Sequence, residues 1–244
     1  MLERLYPERG ATTPAELVSS LDLASRASSE RPYLVLNMVS TLDGKSTFEW
    51  RTEGISSDVD RELFHQLRTR ADAVMVGAGT VRAERYGRII KRDDLREKRR
   101  AAGLEPDPLA VVVSATLDLP ADLPLLQEPE QRVLVATGSD ARLEGTSAQL
   151  EYLPSGEDLP LLMARLREMG IRSVLCEGGP TLNSHLLASG LVDELFLSLS
   201  PKLVGGAAAL TIVAGRELVE PVELELVWAL AGDGDLFTRW RVKH

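Results

Sequence analysis

Residues 173–187 restrict the fold more than any other stretch of this chain. Ser173-Val174-Leu175-Cys176 reads as a short buried strand, and Leu182, Leu186 and Leu187 then recur at helical spacing. Between them stands Glu177-Gly178-Gly179-Pro180-Thr181. Pro180 suits a first helical turn, where a missing N–H costs nothing. The two glycines leave backbone N–H groups bare to a ligand. Strand, glycine pair and helix N-terminus together make an anion seat, because the unpaired N–H groups and the helix dipole point the same way. The stretch reads as a nucleotide-phosphate seat. Taken alone, a tight strand-to-helix turn without a ligand fits it equally well.

A second junction of this kind lies upstream. The strand Ala71–Val76 runs into Gly77-Ala78-Gly79-Thr80-Val81-Arg82-Ala83-Glu84. The usual dinucleotide fingerprint fails here. Arg82 stands where its third glycine belongs, and Lys98-Arg99-Arg100 occupies the region where a ribose-binding acid is needed. A standard dinucleotide-binding fold is therefore disfavoured, and two glycine junctions remain.

The runs around them favour a parallel sheet. Leu109–Val113, Arg132–Ala136 and Leu150–Leu153 are strands of the continuous apolar type that parallel sheets bury. Asp158 opens a helix with Leu159, Leu162, Met163 and Leu166 on its apolar face, and Gly170 stops it. This strand–helix–strand rhythm predicts crossover connections. Tyr33–Val39 is a further strand, placing Asn37, Ser40 and Asp43 at or near its C-terminal end, where open α/β sheets bind ligands. Asp58 is expected to cap a helix with Leu63, Phe64 and Leu67 inward. Arg68, in its last turn, suits a solvated helix end better than an anion contact.

The segments 222–231 and 235–242 flank Gly232-Asp233-Gly234 as a terminal hairpin, which predicts a sheet edge that must be covered. A homodimer is one solution. Residues 1–31 read as an N-terminal extension with a capping box at Thr13-Pro14-Ala15-Glu16, ahead of a single domain over 32–244. The basic stretch 92–100 reads first as solvated surface and second as a phosphate attractor.

Composition excludes several classes. A net charge of −9 argues against nucleic acid or an anionic membrane as partner. No run approaches the ~20 apolar residues that span a bilayer, and the N-terminus lacks a signal peptide's apolar core. The single cysteine, Cys176, sits in an apolar run, which suits a reducing cytoplasm. The three histidines are scattered, so no metal site is expected.

Five motifs, in order, carry a resemblance. They are Ser40-Thr41-Leu42-Asp43-Gly44-Lys45, the run from Arg70 to Val81, Glu177-Gly178-Gly179-Pro180-Thr181-Leu182, Leu191-Val192-Asp193-Glu194-Leu195, and Ser200-Pro201-Lys202-Leu203-Val204-Gly205-Gly206. The chain resembles the reductase domain of bacterial riboflavin biosynthesis, over roughly residues 32–242. The zinc-site signature of that family's companion deaminase domain is not in this sequence.

The resemblance implies an α/β, dihydrofolate-reductase-like three-layer fold: a mostly parallel central sheet flanked by helices, with a C-terminal antiparallel hairpin. It implies NADPH as cofactor and a phosphorylated ribosylaminopyrimidine as substrate, with hydride delivered to C1′ of the sugar. Gly77, Gly79, Thr80, Val81, Glu84, Ser114, Gly178, Gly179, Pro180, Thr181 and Leu182 fall on the cofactor side. Asn37, Ser40, Ser56, Ser57 and Arg68 fall on the substrate side. Glu177, at a strand end beside the phosphate loop, is the candidate catalytic residue, as proton donor or as orienter. Arg142 and Thr137, each after a strand end, are candidates for the 2′-phosphate. After Gly79-Thr80 the family usually continues Asp-Asp-Pro, followed by a Thr and an Arg that help hold the substrate. This chain reads Glu84-Arg85-Tyr86-Gly87-Arg88 instead, which leaves a pteridine reductase on the same fold as the alternative.

Overall fold

The computed structural model describes residues 1–155, 158–206 and 209–243. One sheet of eleven strands organises them. In chain order the elements are β1 (Leu2–Tyr6), β2 (Gly10–Thr12), α1 (Pro14–Ser19), β3 (Tyr33–Thr41), α2 (Asp58–Arg68), β4 (Ala73–Gly77), α3 (Ala78–Ala83), α4 (Asp93–Ala101), β5 (Leu109–Val113), β6 (Arg132–Thr137), β7 (Gln149–Pro154), α5 (Leu159–Glu168), β8 (Ser173–Cys176), α6 (Pro180–Ala188), β9 (Glu194–Ser200), β10 (Leu224–Gly232) and β11 (Asp235–Val242). Across the sheet the order is β2-β1-β10-β11-β9-β3-β8-β4-β5-β6-β7. The block from β9 through β7 is parallel, and the strands on the other side of β9 are antiparallel.

The apolar runs are explained by burial on both faces. Along β4, Val74 and Val76 turn into one core with Leu63 and Leu67 of α2, Val81 of α3 and Leu95 of α4. Ala73 and Met75 turn into a second core with Leu162 and Leu166 of α5 and Leu182 and Leu186 of α6. Two helical layers thus sandwich the sheet, and a period-2 strand has no polar face to show.

Four details differ from the sequence-based expectation. The cap of α2 is Ser57, whose hydroxyl accepts the Asp60 N–H at 3.1 Å; Asp58 is the first helical residue. The terminal hairpin is not an edge: β11 pairs with β9 and β10 pairs with β1. Residues 2–12, whose pattern is too short and polar to announce strands, supply β1 and β2 and cover that side within the chain. The edge argument for a homodimer falls away with them. The basic stretch 92–100 is solvated surface except at Leu95 and Arg99, and its exposed arginines are paired with acids. Arg92 pairs with Glu62 and Asp94, Arg96 with Asp93, and Arg100 with Glu97. Arg99 is buried and donates to the carbonyls of Arg68, Ala71 and Glu105 at 2.7–2.9 Å.

Asp43 ties two distant loops together. Its carboxylate accepts the Thr41 hydroxyl at 2.5 Å and the N–H groups of Gly205 at 2.6 Å and Val204 at 3.2 Å. The Thr41 bond first, and then the Gly205 N–H, hold its pKa down at about 2. A depressed folded-state pKa stabilises above the unfolded value of about 3.9, and the gain is lost as pH falls through about 2. Asp43→Asn should therefore be less stable than the parent at pH 7, with the gap closing between about pH 4 and pH 2. Urea denaturation across that range measures it, and a gap independent of pH would show that the tie does not rest on the charge.

Candidate functional site

Because β3, β8, β4 and β5 run parallel, their C-terminal ends open on one side, where ligands bind in such sheets. A cavity of about 1380 Å³ lies there. The β4–β8 ladder continues past the end of β8 and locks the two glycine junctions together. Glu177 N–H donates to the Met75 carbonyl at 2.9 Å, and Gly77 N–H donates to the Gly178 carbonyl at 2.8 Å. The Gly178–Gly179 peptide is cis.

Bare backbone is required at this crossing. A Cβ on Gly179 would stand 2.7 Å from Thr80 Oγ1, and one on Gly77 would stand 3.3 Å from Gly179 N. Gly178 has φ +91°, a conformation that favours glycine. Neither α3, capped at Gly77, nor α6, capped at Gly179, has a side-chain cap for its first-turn N–H groups, and the residues at both starts line the cavity. Two adjacent helix starts of this kind suit a ligand with more than one phosphate.

The floor is a buried ion pair. Glu177 follows β8 directly and Arg68 ends α2. Arg68 Nε and Nη2 donate to Glu177 Oε1 and Oε2 at 2.7 and 2.8 Å, and Arg68 Nη1 donates to the Ile89 carbonyl at 2.6 Å. The Phe64 ring lies 4.1 Å from the guanidinium carbon. Tyr86 completes the unit, its hydroxyl donating to Glu177 Oε2 at 2.8 Å. Burial, and then the Glu177 charge, push the Tyr86 pKa well above the usual phenol value. His65, one turn before Arg68, is held below the usual imidazole range by burial and by the Arg68 charge. Cys176 is buried, and burial pushes its thiol up to about 12, so it offers no nucleophile.

Of the residues singled out in the sequence, the cavity is lined by Asn37, Ser56, Arg68, Gly77, Gly79, Thr80, Glu84, Ser114, Glu177, Gly179, Pro180, Thr181 and Leu182. Six of the residues singled out serve elsewhere. Ser40 is buried and donates to the Thr41 carbonyl. Ser57 caps α2 and donates to Asp235. Val81 is in the core. Gly178 shapes the crossing from behind. Arg142 lies over the Tyr152 ring, away from the cavity, and Thr137 is buried. Arg68 is not a solvated helix end, since the Glu177 carboxylate draws it inward. Glu84 faces the cavity and accepts the Thr52 N–H at 2.8 Å, tying the 46–54 loop to α3.

Tyr86 was hidden from sequence reasoning inside a segment legible only as a departure from its relatives. A lone aromatic between two arginines carries no periodicity, and its partner is 91 positions away.

Glu177→Gln should cost about 3 kcal/mol of stability, because it leaves a buried guanidinium without its counter-charge. Tyr86→Phe removes one hydrogen bond to a carboxylate that keeps its arginine, and should cost about 1.5 kcal/mol. Denaturant unfolding of both variants measures this, and equal losses would contradict the ranking.

A model of the RibD C-terminal domain family matches residues 32–237. A 2,5-diamino-6-ribosylamino-4(3H)-pyrimidinone 5′-phosphate reductase of Archaeoglobus fulgidus is 35% identical over 204 residues, covering 81% of this chain and 93% of that one. Its namesake from Methanothermobacter thermautotrophicus is 34% identical over 221 residues, covering 87% and 99%. The crystal structure of a pyrimidine reductase-like protein from Corynebacterium diphtheriae superposes with a TM-score of 0.79 at 22% identity, covering 96% of this chain and all of the other, which shows the shared fold. The chain belongs to the RibD C-terminal domain family.

Proposed function

We propose that this chain is an NADPH-dependent reductase acting on a phosphorylated ribosylaminopyrimidine, converting the ribosylamino group to a ribitylamino group by reduction at C1′. The observation that carries the reading is the crossing of the two glycine junctions at one end of a cavity large enough for a dinucleotide and a second ligand. The names of the two full-length relatives favour the 2,5-diamino-pyrimidinone 5′-phosphate over the 5-amino-uracil form.

The cofactor fits the residues present. The N–H groups at the start of α6, with Gly179, Thr181 and Leu182, would hold its phosphates, alongside Gly79 and Thr80 at the start of α3. When bound, the nicotinamide supplies the hydride. The chain's own contribution is positioning, which brings reacting atoms to near-attack distance. Asn37, Ser56 and the Arg68–Glu177–Tyr86 unit form the substrate wall. Both Glu177 oxygens accept hydrogen bonds from Arg68 and Tyr86, and these three bonds favour an orienting role over proton donation. A proton for the sugar ring oxygen then comes from water admitted to the cavity. The protein is read as cytoplasmic. Among the described residues no helix is long and apolar enough to cross a membrane.

Purified protein should consume NADPH absorbance at 340 nm (a property of the dinucleotide) in the presence of the diaminopyrimidinone phosphate and leave it unchanged with dihydrofolate. Oxidation with dihydrofolate alone would overturn the substrate assignment and retain the cofactor. Gly179→Ala, whose new methyl meets Thr80 Oγ1, should weaken NADPH binding at least about 10-fold, a loss of about 1.4 kcal/mol, as read by titration of the cofactor's fluorescence.

A further inference from the structure

NADPH differs from NADH by one phosphate, on the 2′-hydroxyl of the adenosine ribose. Arg142 lies over the Tyr152 ring and Thr137 is buried, so that phosphate needs another partner. The layout of the cavity narrows the search. The floor lies on the β3–β8 side, with Asn37 on β3 and Glu177 after β8, and α6 starts where β8 meets β4. A dinucleotide with its nicotinamide toward the floor and its diphosphate at the start of α6 carries its adenosine to the far side, against the C-terminal end of β5. Ser114, Ala115, Thr116 and Asp118 line the cavity there. Most of the cavity's cations stand on the other side. Arg61 and Arg68 belong to α2, and Arg88 and Lys91 stand on the segment whose Ile89 carbonyl takes Arg68. Arg85 leans toward Asp122 at 3.7 Å.

Arg82 is the cation on the β5 side. It stands in the last turn of α3 and lines the cavity together with Asp118. Its Nη1 lies 3.1 Å from Asp118 Oδ2 and also donates to the Asp118 carbonyl. Among the described residues its Nε and Nη2 donate to no side chain or carbonyl. That free edge is the same fork with which Arg68 holds Glu177, and it matches two oxygens of a phosphate. The Arg82 side chain is 37% exposed and that of Asp118 68%, so the carboxylate holds the guanidinium only weakly. The backbone builds the contact. Leu117 has its side chain in the core and a φ of +59°, and Leu119 N–H donates to its carbonyl at 2.9 Å. This tight turn after β5 brings Asp118 against α3. An arginine and an acid beside one ribose serve opposite ends: the arginine takes a 2′-phosphate, and the acid accepts a free 2′-hydroxyl.

We infer that Arg82 is the seat of the cofactor's 2′-phosphate, and that Asp118 limits the preference for NADPH over NADH by accepting the free 2′-hydroxyl of the latter. This rests on the reading of the chain as a dinucleotide-dependent reductase, and the test keeps the two apart. Calorimetry of the intact protein with NADP⁺ and with NAD⁺ gives the ratio of the two Kd values and needs no turnover. The wild type should bind NADP⁺ more tightly. Arg82→Ala should lower that preference by about 10- to 100-fold, the span of a lost charge-assisted hydrogen bond, by weakening NADP⁺ and sparing NAD⁺. Arg82→Lys should restore part of the preference, and Asp118→Ala should raise it above that of the wild type. Equal binding of the two dinucleotides by the wild type overturns the seat. So does a preference unchanged in Arg82→Ala, or a loss shared equally by both. A preference that Asp118→Ala leaves unmoved or lowers overturns the part given to the acid. Turnover of the diaminopyrimidinone phosphate is measured separately. A preference that responds to Arg82→Ala supports the seat even if no pyrimidine is reduced, and in that event the reductase reading alone fails. Turnover with a preference indifferent to Arg82→Ala overturns the seat and leaves the reductase reading standing.

Discussion

The pairing of β4 with β8 is the constraint on which the site depends. Neither strand is long; β4 ends in Gly77, and β8 reaches Gly178 after the single residue Glu177. Because the ladder runs two hydrogen bonds beyond the end of β8, from Glu177 N–H to Met75 and from Gly77 N–H to Gly178, the turns that follow cannot diverge. Two helices consequently start side by side, close enough that a Cβ on Gly179 would stand 2.7 Å from Thr80 Oγ1. A ligand that binds here meets amides fixed by the sheet itself, so little ordering remains to be done at the moment of binding.

Electrostatics divides the cavity. At the helix starts the field comes from peptide dipoles and costs no desolvation of a charged side chain. At the floor it comes from full charges, Arg68 and Glu177, which neutralise each other and are bonded at almost every polar atom. Such a pair is an expensive way to gain stability, and its use is better sought in the fixed orientation that it imposes. Phe64 and Tyr86 bracket the pair and keep it in low dielectric, where orientation is held most strongly.

Much of this was legible in the sequence wherever a pattern is local. The strands β5, β6 and β8 and the helix α5 follow from apolar runs and caps, and Gly178-Gly179-Pro180 announced its junction. What sequence reasoning missed depends on partners far along the chain. The strands β1 and β2 exist because β10 offers them an edge. Ser57 looked like a ligand contact and is a helix cap, since a hydroxyl before an acidic first turn suits either use. Arg68 looked like an exposed helix end because only a carboxylate 109 positions away draws it inward. The basic run 92–100 looked like one charged surface, yet three of its arginines are neutralised by nearby acids and one is buried.

That buried arginine reaches further than its position suggests. Arg99 never faces the cavity, but it gathers the carbonyls of Arg68 and Ala71 at the end of α2 and of Glu105 beyond α4. Three acceptors in separate directions match a guanidinium fork, whereas a single ammonium would have to abandon some of them. The backbone of the site's central cation is thus clamped by a residue from another helix. Drift at position 99 is limited by the geometry of the floor, and a lysine there would loosen the pocket without touching anything that enters it.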